Sequence, residues 1–313
     1  MTFEECINTA PLILAEASTS SRMCSEFGYS LDKFVGNGAW IYDDKLRGKY
    51  AEVYRAYFRI AEKLQLPIMT TSATRWAHRG FIEKSGYSQY DIASDNITFV
   101  REIAKGFDTP VYVNYIEGCR GSQYDASCGA KITVDAARNY HREQLDSWRR
   151  SDPDYLYSGI MPEINESIGM AQAFSESGLP YTIAFLVTDS GCMLDGTPLC
   201  DAVSRVDEET DTPPLFYMAN CVHPVNLLHA LQKPFNQTEK VRRRIRGSVS
   251  NASMLKPNQL EGCDHIKNSD AKELADAVVK LNDYHPMQIC GGCCGTDETH
   301  LFEIASRLKA LRM

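Results

Sequence analysis

The chain has no run of about 18 apolar residues, so no helical membrane span is indicated. Its amino terminus, MTFEECINTAPL, lacks the basic and apolar regions of a signal peptide, and a cytoplasmic protein is the expectation. Positive charge is not in excess. Lys and Arg number 33 against 41 Asp and Glu, a net charge of −8, which argues against a nucleic-acid or anionic-membrane partner. No Gly-rich dinucleotide turn follows the first apolar run, and no low-complexity linker divides the 313 residues. There is also no second C-x-x-C pair, which a structural zinc knuckle would need.

What the chain does have is cysteine. Eleven residues, an odd number without small-domain spacing, favour reduced thiols over a disulfide framework. Cys6, Cys24, Cys192, Cys200 and Cys263 have no ligand-like neighbours and read as small buried hydrophobes. The segment Ile289 to Leu301, ICGGCCGTDETHL, is different. Cys293 and Cys294 are covalent neighbours, too strained as a mutual disulfide but able to turn two thiolates toward one cation. Gly291, Gly292 and Gly295 permit the tight turn, and Thr296 with the acids behind it reads as a helix start. Cys221 in ANCVHP supplies a third thiolate. Three sulfur ligands leave zinc an open, catalytic position, whereas four close it. The C-x-x-C formed by Cys290 and Cys293 leaves a redox pair as the competing reading. His223 is assigned a hydrogen-bonding role rather than ligation, and His300 a structural one.

Along the chain, apolar strand-like runs alternate with amphipathic helical ones. Strands are expected at 11–17, 66–72, 110–116, 155–162, 181–187, 215–220, 244–251 and 286–290. Helices are expected near 49–64, 92–107, 134–149, 165–177, 199–206, after Pro224, 271–282 and 297–311, with a Gly- and Ser-bearing insertion at 117–130. Eight strand–helix alternations predict an α/β fold, a single-domain (β/α)8 TIM barrel over residues 1–313, with an open doubly wound sheet as runner-up. In such a barrel the carboxyl ends of the strands form the active face. That rim gathers Glu16, Thr71, Ser72, Asn114, Glu163, Thr188, Asp189, Asn220, Cys221, Asn251, Cys293 and Cys294.

The segments ICGGCCGTDETHL and ANCVHP resemble those of the zinc-dependent homocysteine S-methyltransferases, and the similarity covers most of the chain. FLVTDSGCMLDGTPL and NYHREQLDSW are supporting matches. The resemblance implies a (β/α)8 barrel with Zn2+ held by Cys221, Cys293 and Cys294, and no catalytic residue beyond the metal site. It also implies methyl transfer to the thiolate of homocysteine, giving methionine. Glu163 and Glu16 would hold the amino group, with Asn220 also at the substrate; the competing role for Glu163 is a helix N-terminal acid. The chain departs from the family at ILAEASTSS, where an Asp-Gly pair is usual, and at Ile164, Met218 and Ser253. No folate- or cobalamin-binding module follows the barrel, so S-methylmethionine or S-adenosylmethionine is the expected donor. The small-molecule alternatives are another thiol acceptor or a betaine-like donor, with Trp76, Tyr115 and Tyr157 as aromatic walls. A non-catalytic zinc-binding barrel is the remaining alternative.

Overall fold

A computed structural model describes residues 1–122, 124, 132–255 and 269–312. Eight parallel strands close a barrel in chain order: Ile13–Ala15 (β1), Ile68–Thr71 (β2), Val111–Glu117 (β3), Tyr155–Ser158 (β4), Tyr181–Phe185 (β5), Tyr217–Val222 (β6), Ile245–Ser250 (β7) and Ile289–Gly292 (β8). β8 pairs back to β1 through Ile13–Ile289 and Leu14–Cys290, so no edge is left. Interleaved helices complete a (β/α)8 barrel, as the alternation predicts. The strands read as near-continuous apolar runs because both of their faces are buried. Ile13, Ala15, Tyr155 and Tyr157 point into the barrel, while Leu14 and Leu156 pack against the helices. None of the helices of the described residues is long and apolar enough to cross a membrane.

Some boundaries differ from expectation, for identifiable reasons. β4 stops at Ser158, four residues early, and Met161 rejoins β5 only as an isolated bridge to Phe185. β8 begins and ends later than expected, so the vicinal cysteines follow it directly. The helix expected over 134–149 is two, Val134–Arg142 and Leu145–Ser151. Before the break His141 is buried between Glu117 and Glu166; after it Trp148 packs edge-on against Phe174. An unanticipated helix, Phe3–Thr9, is started by a Thr2–Glu5 capping box and closes the amino-terminal end of the barrel. Its Phe3 ring stacks on Tyr155 with centroids 4.0 Å apart. The 117–130 insertion and Cys263 fall partly or wholly outside the described residues.

One contact sets how β8 sits. A Cβ on Gly291 would lie 2.2 Å from the carbonyl oxygen of Ala15, a backbone atom that cannot swing aside. Glycine therefore allows β8 to lie against β1 and fixes where the next residues emerge. Gly291→Ala is expected to destabilise the barrel by about 1–3 kcal/mol through overpacking, read as a lower urea midpoint at unchanged slope. An unchanged midpoint would contradict this packing.

Candidate metal centre

Cys221, Cys293 and Cys294 place their sulfur atoms within 4.8 Å of one another. Cys221 Sγ lies 2.7 Å from Cys293 Sγ, and Cys293 Sγ lies 4.0 Å from Cys294 Sγ. All three are free thiols. Sulfurs bonded tetrahedrally to zinc at about 2.3 Å would stand roughly 3.8 Å apart, so the observed separations bracket what one ion needs. The donor set fits a soft or borderline cation.

The backbone is arranged to produce this meeting. Phe216, just before β6, and Met218 on it face the barrel interior, so simple alternation would send Cys221 outward. A register shift against β7 between Asn220 and Val222, with Cys221 at φ 52°, re-aims the side chain inward. A left-handed cysteine costs of order 1–3 kcal/mol and points to a site that the surroundings enforce. Asn251 is part of that enforcement: its Nδ2 donates to the Cys221 carbonyl at 2.8 Å. On the other side, Cys293 N–H donates to Ser250 O at 2.8 Å, and Thr296 Oγ1 donates to Cys293 O at 2.6 Å. Thr296 thus ties down the cysteine turn. The helix Glu298–Arg312 is capped instead by Asp297, whose Oδ1 accepts from Thr299 N–H and His300 N–H.

Protons in the trio are shared unequally. Hydrogen bonds from Cys221 and then Cys293 hold the Cys294 thiol well below its ordinary range. Cys221 is pushed far up, first by its hydrogen bonds to Cys293 and Cys294 and then by burial. Cys290 stands apart from the trio, on the helix side of β8, accepting from Asn282 Nδ2 at 3.6 Å, and burial pushes it up to about 11. The Cys290–Cys293 pairing is not what the fold assembles. His223 caps the helix Pro224–Leu231 by accepting from Val225 N–H, and burial lowers it to about 4. His300 bonds Asp297 and the Ser269 carbonyl.

The cysteines form one wall of a cavity of about 750 Å³ at the carboxyl ends of the strands, within the range of small-molecule sites. Glu16 and Asn220 line it as well. Asn220 uses its amide on the scaffold: Nδ2 donates to the Tyr157 hydroxyl and Oδ1 accepts from Val249 N–H at 3.0 Å. Glu163 is placed differently. It caps the helix Ile164–Ser177, accepting from Asn165 N–H at 3.0 Å and Glu166 N–H at 2.7 Å, and the cavity position past β4 belongs to Gly159 and Ile160. Trp76 and Tyr157 line the cavity, whereas Tyr115 packs outward toward Trp148. Sequence reasoning overlooked Tyr124, whose hydroxyl lies 3.8 Å from Cys294 Sγ, and Arg75 and Arg120 in the cavity lining. Charged residues just past β2 and β3 were the available signal.

Glu16 is buried, and its burial outweighs the hydrogen bond from Thr70, raising its pKa from 4.5 to about 8. The unfolded chain releases this proton near pH 4.5 and the folded one near 8. Stability therefore falls as pH rises through that window and levels off above it. Glu16→Gln should remove this fall. The variant gains on wild type in urea unfolding between pH 5 and 8, with no further gain above; a pH-independent difference would contradict the buried, protonated carboxyl.

Residues 44–308 match the family profile described as "Homocysteine S-methyltransferase". Homocysteine S-methyltransferase 2 of Saccharomyces cerevisiae is 26% identical over 214 residues, and the chain spans 62% of that relative's length, using 62% of its own. Crystal structures of the homocysteine methyltransferase MmuM from Escherichia coli share the fold. The metallated form has a TM-score of 0.72 at 17% identity, covering 97% of this chain and 98% of that one. The oxidized form gives 0.72 at 17% identity, over 96% and 97%. Since the family profile takes in every strand from β2 to β8 and the whole cysteine trio, the chain belongs to the homocysteine S-methyltransferase family.

Proposed function

We propose that this chain transfers a methyl group from a sulfonium donor to the thiol of homocysteine, with zinc as its metal and methionine as the product. The observation that carries the proposal is the convergence of three cysteines, from β6 and from the turn after β8, on the wall of one cavity. Family membership and the names of the yeast and Escherichia coli relatives support homocysteine as the acceptor. Zinc bound at Cys221, Cys293 and Cys294 would keep an entering thiol deprotonated at neutral pH, where a free thiol of pKa near 8.5 is mostly protonated.

The remaining work falls to the chain's own residues. Glu16, neutral while buried alone, ionises when the acceptor's ammonium group enters beside it and accepts a charge-assisted hydrogen bond. Tyr124, Tyr157 and Met218 wall the cavity near the cysteines and limit access of water to the reacting sulfur. Asn220 fixes the Tyr157 hydroxyl, so this wall keeps its shape. In the transfer itself the acceptor's sulfur pair forms the new S–C bond. The bond from methyl carbon to donor sulfur breaks, and its electrons leave with a neutral thioether. Fixing the acceptor against one wall contributes orientation, a large part of the barrier for two freely diffusing reactants.

Loss of an outer partner of a metal site alone costs about 10–100-fold in affinity or activity. Cys294→Ser removes a ligand, so methyl transfer to homocysteine should fall by at least about a hundredfold. Zinc content should fall from about one per chain, measured by metal analysis after dialysis. Full activity in this variant would overturn the proposal.

A further inference from the structure

The cavity lining holds few ionisable groups besides the cysteines. Its single lining carboxyl group among the described residues, Glu16, follows β1, the strand that pairs with β8 beside the cysteine turn. Two guanidinium groups line it as well: Arg75, past the end of β2, and Arg120, past the end of β3. β2 and β6 are four strands apart in a ring of eight, so Arg75 and Cys221 approach the cavity from facing sides.

Arg75 is positioned. Its guanidinium carbon stands 5.6 Å from the Trp76 ring centre, and its stem runs along Gly118, where a Cβ would come within 3.1 Å of Arg75 Cγ. No described carboxylate pairs with the side chain of Arg75, which is half-buried, or of Arg120, which is exposed, whereas most other half-buried arginines among the described residues have an acidic partner. A planar guanidinium held this way presents a fork that matches a carboxylate.

In-line displacement puts the leaving sulfur on the far side of the methyl carbon from the acceptor sulfur. With the acceptor at the cysteine wall, the body of the donor extends toward β2 and β3. We infer that Arg75, seconded by Arg120, binds a carboxylate on the methyl donor, so that the donor is a sulfonium whose short tail ends in an anion. This rests on the methyltransferase reading above and makes Arg75 a specificity-determining residue. Trp76, beside Arg75, and Tyr157, packed in one cluster with Cys221, also line the cavity and suit the sulfonium charge.

The test uses two sulfonium compounds of similar size, dimethylsulfoniopropionate and dimethylpropylsulfonium, which differ in the terminal carboxylate. Their binding to the zinc-loaded full chain is measured by calorimetry at fixed ionic strength, without a thiol acceptor. Wild type should bind the carboxylate compound about tenfold more tightly or better, the worth of one charge-assisted hydrogen bond. Arg75→Gln should abolish that preference while leaving zinc content and the affinity for dimethylpropylsulfonium unchanged, and Arg75→Lys should keep part of it. Equal binding of the two compounds by wild type overturns the inference without reference to any variant, as does a preference that survives Arg75→Gln. Adding homocysteine separates the two claims. A carboxylate preference with no methylation by either compound counts against the methyltransferase reading and leaves the carboxylate site standing.

Discussion

Three sulfurs gathered within 4.8 Å cannot all be negative unless a cation sits among them. Two unit charges at 4 Å repel by about 4 kcal/mol even at an effective dielectric of about 20. The shared hydrogen bonds and burial accordingly push Cys294 down and Cys221 up. The chain nevertheless spends backbone strain at Cys221 and three glycines in the β8 turn to hold the sulfurs together. Packing alone would not require this. The arrangement makes physical sense as a site for a positive ion.

The rest of the structure holds that cluster in register. The barrel closes β8 against β1 through Gly291, and the same junction lets Gly292 N–H donate to the Glu16 carbonyl. Glu16 and the cysteine turn therefore share one piece of backbone. Asn251 after β7 ties to β6 twice, its Nδ2 donating to the Cys221 carbonyl and its N–H to the Val222 carbonyl. Across the ring from Cys221 on β6, the loop after β2 places Arg75 and Trp76 in the cavity wall.

Much of this was legible in the sequence. Parallel strands buried on both faces leave continuous apolar runs, and eight of them with helical spacers left little besides a closed barrel. The Cys293–Cys294 pair behind glycines named the metal-capable turn, and Cys221 followed from strand order. The β6 bulge was not legible, because a left-handed cysteine carries no local signature of the kind glycine gives. Glu163 shows a different limit. An acid at the end of an apolar run looks the same whether it faces a cavity or caps the next helix. Here the strand ended four residues early, and the carboxylate went to the Asn165 and Glu166 amides. Thr296 and Asp297 exchanged roles for a similar reason, since both residue types cap helices. Arg75 was passed over because it lies in a polar loop whose spacing says nothing about direction.

The central claim is that the cysteines hold one ion and leave room for a fourth sulfur. X-ray absorption at the zinc edge reads this directly on the zinc-loaded chain. The account predicts three sulfur neighbours in the resting protein and four once homocysteine is added. A count of two or fewer at rest, or a count that homocysteine does not change, would contradict it.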